Sequence, residues 1–217
     1  MDLAEALRTN PSVRDFTDEP VTDAEVAELL ELARFAPSGG NRQPWHVALI
    51  KDPGLRRQLA ALCQPVWSAY LAEQLAGVAP FNVIDRPAEV QDIGPQPNPL
   101  LDAIDDIPVV LVVAADLGVI AMMDSVLDRP TIAGGASIYP FVHSILLAAR
   151  ERGLGGVMTT FLVRAEEEAR PLLGLPDSWA LASMVCLGHP ARRATKLTRK
   201  PVAAFATVDR FDGEPLG

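Results

Sequence analysis

The stretch Ala36-Pro37-Ser38-Gly39-Gly40-Asn41-Arg42-Gln43-Pro44-Trp45-His46 stands between a strong helix pattern and a short apolar run. Pro37 stops a helix because it lacks an N–H and crowds the preceding turn, and Gly39-Gly40 opens the backbone to positive φ. Ser38, Asn41 and Gln43 place small donors and acceptors on a loop whose amides can also face a ligand. A plain helix-to-strand connection accounts for Pro, Gly, Ser and Asn as turn formers. It does not account for a polar run ending in Pro-Trp-His, since most connections are shorter. The stretch reads as a ligand-binding loop.

Upstream, Thr22-Asp23-Ala24-Glu25 has the form of a capping box, with Thr22 as N-cap and Glu25 at N3. Val26, Leu29, Leu30 and Ala33 then repeat at helical spacing, so this helix buries one face and delivers the chain to the loop. Earlier still, residues 2–8 predict a short helix ending before Asn10-Pro11, and Ser12-Val13-Arg14-Asp15-Phe16 an extended or turn segment. Taken locally, Arg14 is either a solvated surface arginine or a fork for a phosphate or carboxylate.

Downstream, Val47-Ala48-Leu49-Ile50 predicts a buried strand and residues 54–62 a helix carried by Leu55, Leu59 and Leu62. Between Pro80 and Pro108, the prolines at 87, 95, 97 and 99 exclude continuous regular structure, so about 80–108 is expected to be an irregular excursion, either a lid or a connector. Val109 to Ala115 is apolar without interruption and β-branched, as a central strand covered on both faces would be. Residues 137–152 predict a helix with Pro140 in its first turn and Gly153 at C′. Val157 to Val163 is a further strand or the turn into one. Glu166 to Leu173 predicts a short helix closed by Gly174, its three leading glutamates read as a solvated start favoured by the macrodipole. Ala180 to Leu187 predicts a buried strand stopped by Gly188-His189-Pro190, and a basic tail follows with Arg192, Arg193, Lys196, Arg199 and Lys200 before Pro201. Without regular strand–helix alternation, the class is α+β, a single domain over 1–217.

Acidic residues outnumber basic ones 28 to 19, for a formal charge of −9, which disfavours a nucleic-acid or anionic-membrane partner. Cys63 and Cys186 have no metal-ligand spacing and read as structural thiols of a reduced compartment. No basic region followed by an apolar run opens the chain, and no apolar run approaches a membrane span, so a cytoplasmic protein is expected.

Hydrolytic and metal chemistry find no support. Ser38 lacks a G-x-S-x-G elbow, and His46, His143 and His189 lack zinc spacing. His143 reads as a satisfied core histidine. Gly153-Leu154-Gly155-Gly156 follows a helix instead of opening one, so it is no dinucleotide fingerprint. A polar loop without nucleophile, metal cluster or acid–base pair points to chemistry carried by a cofactor.

Taken together, these pieces resemble the FMN-dependent nitroreductase family, with the Gly-Gly pair resembling an actinobacterial branch. The resemblance rests on Ser12 to Phe16, on the A-P-S-x-x-N-x-Q-P-W motif over 36–45, on Gly153 to Gly156, on Leu187 to Pro190, and on a basic residue before Pro201. It covers nearly the whole chain apart from about 63–105. It implies a homodimer with a mainly antiparallel sheet flanked by helices and FMN at the interface. By motif, Ser12, Arg14 and Arg199 would meet the FMN phosphate, and Pro37, Ser38, Gly39, Asn41 and Gln43 would approach the flavin from the other subunit. Met158, Thr159 and Thr160 would lie beside the isoalloxazine. Where the family often carries an arginine two residues before Ser12, this chain has Asn10, so either Arg8 substitutes from one helical turn away or the phosphate site is weaker, and the flavin contacts of the Trp67–Gln74 region stay unassigned.

The implied activity is ping-pong hydride transfer from NAD(P)H, through FMN, to nitroaromatic or quinone-like acceptors. Alternatives are a flavin reductase or flavin-cleaving enzyme of the same fold, a flavin-storage protein without turnover, or a small-molecule module without flavin. Part of residues 67–105 is expected to lid the acceptor side, with Trp67, Tyr70 and Phe81 as walls for a flat substrate as against packing into the core.

Overall fold

The computed structural model describes residues 1–85, 89–192 and 197–217. Pro87, Arg193 and Lys196, which figure in the readings above, lie outside the described residues. At the centre is strand β2 (Val109–Asp116), buried along all but its last residue. It pairs with β1 (Trp45–Leu49) on one side and β4 (Trp179–Gly188) on the other, and β3 (Gly155–Thr159) lies outside β4. Every pairing is antiparallel, and with the flanking helices this makes the α+β architecture expected.

Helices cover both faces, which is why β2 carries apolar residues at odd and even positions alike. On one face, α2 (Asp23–Ala33) and α5 (Tyr139–Glu151) bury Leu29, Phe141 and Ile145 against Leu111, Val113 and Val185. On the other, α3 (Pro53–Leu75), α4 (Pro99–Asp102) and α6 (Glu166–Leu173) bury Leu59, Cys63 and Ala169 among Val110, Val112 and Met184. The short helix α1 (Leu3–Arg8) lies against α5.

The local signals act where the sequence puts them. Thr22 Oγ1 accepts from the Glu25 N–H at 3.2 Å, and the Glu25 carboxylate accepts from the Thr22 N–H at 2.7 Å, completing the capping box. Gly153 and Gly174 close α5 and α6 in the left-handed region, at φ 81° and 59°. Cys63 and Cys186 are free and buried, and burial pushes both thiols up to about 12. Among the described residues no helix is long and apolar enough to cross a membrane.

Several expectations are corrected. The strand expected over 47–50 begins at Trp45, ends at Leu49 and is an edge strand, so His46 and Ala48 are exposed. The helix expected over 54–62 runs to Leu75 straight through Pro65, because Ser68 and Ala72 continue the buried stripe of Leu59 and Cys63. The excursion expected over 80–108 contains α4, started by Asn98, whose Oδ1 accepts from the Leu100 and Leu101 N–H groups. The region after Gly153 divides into β3 and a separate 3-10 turn over Phe161–Ala165. His143 is exposed on α5, not a core histidine. Glu166 is not simply solvated: it pairs with Arg170 at 2.7 Å and accepts from the Leu181 N–H at 2.6 Å, tying α6 to β4.

Candidate functional site

Three stretches separated in sequence meet at the outer edge of the sheet. The Val13 N–H donates to the Gly156 carbonyl at 2.9 Å, and Ser12 forms an isolated parallel bridge with Gly156. The Thr17 N–H donates to the His189 carbonyl at 2.8 Å, and the Ala191 N–H to the Asp15 carbonyl at 3.0 Å. Residues 12–17 are thus strapped between the start of β3 and the end of β4. The approach requires glycine at 155, where a Cβ would sit 2.6 Å from Val13 Cγ2; a Cβ on Gly156 would instead meet β4, 2.3 Å from Leu187 Cδ2 and 2.7 Å from the Cys186 carbonyl oxygen.

The strap delivers Arg14 to a cavity of about 980 Å³ beside the end of β3. Met158, Thr159, Thr160 and Phe161 line it from β3 and the turn that follows. Trp67 and Tyr70 of α3 line it from across, and Asn98, Pro99 and Asp106 close another side. Thr159 Oγ1 is buried and has no hydrogen-bond partner among the described residues. Buried hydroxyls are paired in the large majority of cases, so an orphan on a residue that lines the cavity stands out as an unused polar group in its wall. Every Asp and Glu of the chain is among the described residues, yet none pairs with the exposed Arg14.

The Ser38–Gln43 loop takes φ 61° at Gly40, 54° at Asn41 and 49° at Gln43. Asn tolerates the left-handed region, whereas a Gln there holds strain of about 1–3 kcal/mol, a cost that clusters at ligand clamps. Side chains fix the turn: the Gln43 N–H donates to Ser38 Oγ at 2.9 Å, Gln43 Nε2 to Asn41 Oδ1 at 3.1 Å, and the Gly39 N–H to Ser137 Oγ at 3.0 Å. Strand alternation explains the Pro-Trp-His ending. Trp45 stacks on Phe141 in the core at 4.6 Å, and His46 stacks on Trp179 across the other face at 3.7 Å.

The structure therefore gathers Arg14, Met158, Thr159 and Thr160 with Trp67 and Tyr70 in one cavity. Ser12 lies on the strap two residues before Arg14 and does not line the cavity. Pro37, Ser38, Gly39, Asn41 and Gln43 do not line the cavity within the same chain, nor do Arg8 and Arg199; Arg199 is exposed and donates to the Thr198 carbonyl. Phe81 stands behind Tyr70, its ring 6.2 Å away, with its N–H held by the Glu73 carboxylate. Sequence reading missed Phe161, Asn98, Asp106 and Ser137. An Asn N-cap before Pro99 at the first helical position was the one signal that could have found Asn98.

The end of the proline-rich segment is a fixed wall. Gln64 Nε2 donates to the Gln96 carbonyl at 2.6 Å, Trp67 Nε1 to the Pro97 carbonyl at 3.0 Å, and the Gln96 N–H to Ser68 Oγ at 3.0 Å. Leu100 and Leu101 then enter the core.

A sequence model of the Nitroreductase family matches residues 7–189. Among curated proteins, 5,6-dimethylbenzimidazole synthase of Rhodobacter capsulatus is 29% identical, covering 87% of this chain and 83% of its own. NADH dehydrogenase of Thermus thermophilus is 27% identical over 93% of both chains. Among solved structures, a putative nitroreductase of Desulfovibrio desulfuricans in complex with FMN superposes with a TM-score of 0.69 at 22% identity, covering 97% of this chain and 98% of its own. The NADPH:FMN oxidoreductase of Vibrio harveyi complexed with NAD+ gives 0.69 at 20% identity, over 96% and 77%.

Proposed function

This chain belongs to the nitroreductase family, and from that premise we propose that it is an FMN-dependent NAD(P)H oxidoreductase that reduces nitroaromatic or quinone-like acceptors in ping-pong fashion. The observation that carries the reading is the single cavity in which an unpaired Arg14 and the orphaned Thr159 hydroxyl stand together. The residues present fit the group: a cation for a phosphate, a hydroxyl for a polar ring atom, and flat aromatic walls. When bound, FMN supplies the hydride acceptance and release that no side chain here offers.

In this reading Arg14 and Ser12 hold the phosphate, joined by Arg199 and Arg8 from segments outside the protomer's own cavity. Arginine suits the task because its fork binds phosphate oxygens with charge-assisted bonds. Thr159, Thr160 and Met158 orient the ring system, and Trp67, Tyr70 and Phe81 wall the acceptor side. Pro37, Ser38, Gly39, Asn41 and Gln43 complete the site from a second copy, which makes the homodimer obligate. Support comes from the absence of that loop from the lining of its own chain's cavity, and from exposed apolar side chains at Met123, Val126, Ile132 and Phe205.

The test is anaerobic titration of the purified protein with NADH and with NADPH. Flavin absorbance that bleaches, then returns on adding a nitroaromatic, supports the reading; a colourless protein, or a yellow one that neither nicotinamide bleaches, sinks it. A second reading, a flavin reductase or flavin-cleaving enzyme of the same fold, is favoured by relatives named 5,6-dimethylbenzimidazole synthase and NADPH-flavin oxidoreductase. Reoxidation by free flavin but not by nitroaromatics, or loss of the bound flavin during aerobic turnover, would select it.

A further inference from the structure

Resting on that reading, we propose that Arg164 is the anion-selecting residue of the co-substrate site, taking an oxyanion carried by the second molecule to enter the cavity. Arg164 lies in the Phe161–Ala165 turn that leaves the cavity wall. Its guanidinium carbon stands 4.0 Å from the centroid of the Phe81 ring. Phe81 is itself fixed: its backbone is in the left-handed region at φ 55°, and the Glu73 carboxylate accepts its N–H. From Phe81 the aromatic contacts run inward to Tyr70 at 6.2 Å and on to Phe161 at 5.9 Å, both of which line the cavity. Arg164 therefore caps the outer end of an aromatic row whose inner end is the cavity wall.

Apart from the Phe81 ring, its charge has no partner among the described residues. All 28 carboxylates of the chain are among the described residues. None lies within ion-pair distance of Arg164, and no hydrogen bond engages it among the described residues. Glu73, close by, is occupied by the Phe81 amide. In a protein of net charge −9, a cation positioned by a ring and left without a carboxylate keeps its donors for something else. Stacking uses the face of the guanidinium and leaves the in-plane N–H fork free for a planar or tetrahedral oxyanion.

A cavity of about 980 Å³ is at the top of the usual range for ligand sites, with room for a second flat molecule beside the cofactor. Arg14 is the single cation lining it among the described residues, and the functional reading assigns Arg14 to the cofactor phosphate. Arg164 is exposed and lies outside the cavity lining, so it is reached by an anionic group on a second molecule that extends from the cavity past Tyr70 and Phe81. Two sources share that chemistry: the 2′-phosphate that distinguishes NADPH from NADH, and a carboxylate on the aromatic acceptor.

The experiment compares wild type, Arg164→Gln and Arg164→Lys holoenzymes on two matched pairs, NADPH against NADH and a nitrobenzoate against nitrobenzene. For each, kcat/KM is measured, and calorimetry gives Kd for NADP+, NAD+ and the nitrobenzoate. We expect Arg164→Gln to lower the charged-to-neutral preference about tenfold or more in one pair, with a matching loss of affinity, as removal of a charge-assisted bond requires. Arg164→Lys should keep part of the preference, and the effect should shrink at high salt. The pair that moves identifies the source. A residue that only packs on Phe81 would shift both members of a pair alike and leave the ratios unchanged, which would overturn the inference in a wild type that turns over. Should the wild type show no nicotinamide turnover, the functional reading fails separately, and equal wild-type and Arg164→Gln affinities in calorimetry overturn the role of Arg164.

Discussion

The backbone N–H of Gly39 donates to Ser137 Oγ at 3.0 Å, joining two loops 98 residues apart. Ser137 is buried and ends the 3-10 turn over Ala133–Ser137 that leads into α5. The candidate binding loop is thereby anchored to a core helix. Replacing Ser137 with Ala leaves the Gly39 amide without its partner, at a cost of about 1 kcal/mol. Hydrogen exchange at Gly39 should accelerate in Ser137→Ala, while the Gln43 amide, held separately by Ser38 Oγ, keeps its protection.

The glycines under the N-terminal strap should behave differently from each other. The three atoms nearest a Cβ on Gly155 all belong to the Val13 side chain, whereas one on Gly156 meets Leu187 Cδ2 and the Cys186 carbonyl oxygen, which cannot step aside. Gly155→Ala should destabilise by about 1–3 kcal/mol as overpacking does, and adding Val13→Ala should recover part of the loss. Gly156→Ala should resist rescue by Leu187→Ala. Urea midpoints of the single and double variants decide both cases.

Arg56 is a buried guanidinium held by carbonyls instead of a carboxylate. Nε donates to the Ile50 carbonyl at 2.8 Å, Nη1 to that of Ile107 at 2.6 Å and Nη2 to that of Pro108 at 3.5 Å. It joins the end of β1, the start of α3 and the entry to β2. Arg56→Ala orphans these carbonyls and opens a void, so a loss on the order of 3 kcal/mol is expected by chemical denaturation. A loss below about 1 kcal/mol would mean that water replaces the fork.

Asp124 organises the loop before Ser137. Its carboxylate accepts from the Ile132 N–H at 2.8 Å, pairs with Arg129 at 2.7 Å and also accepts from the Ala133 N–H at 3.3 Å. The Ile132 amide first, then Arg129 and the Ala133 amide, hold its carboxyl below the ordinary aspartate value. A depressed folded-state pKa gives stability that is present above the unfolded value and lost as pH falls through the folded one. Protection of the Ile132 and Ala133 amides should therefore decline only as pH drops below about 3.9. Asp124→Asn should flatten that dependence.

Arg14→Ala and Arg199→Ala should each weaken FMN binding by about 1.5–3 kcal/mol, the value of a hydrogen bond to a charged group. Arg57→Ala, whose exposed partner is Asp105, serves as the control. Fluorescence titration of the apoprotein measures all three. Because Arg199 does not line its own chain's cavity, loss in Arg14→Ala alone would remove the tail from the phosphate site.

By itself, the sequence determined the elements whose signals are local. The capping box at Thr22, the uninterrupted apolar run of β2 and the glycines closing α5 and α6 act within a few residues, and each appears where those residues require it. The motif over residues 36–45 was legible for the same reason, since its turn chemistry lies within its own backbone. Tertiary structure decided what depends on contacts between distant segments. Val47 to Leu49 reads the same on an edge strand as in a sheet centre until its neighbours are known. Pro65 reads as a stop until burial of the stripe beyond it carries α3 on to Leu75. The strap that joins Ser12–Thr17 to Gly156 and His189 comes from backbone hydrogen bonds, which no side-chain pattern announces. Arg14 and Thr159 share a cavity only because that strap lies on β3, and Arg164 stands unpaired only because no carboxylate folds within its reach. Periodicity and capping are properties of neighbouring residues; a pocket is a property of which surfaces the chain brings face to face.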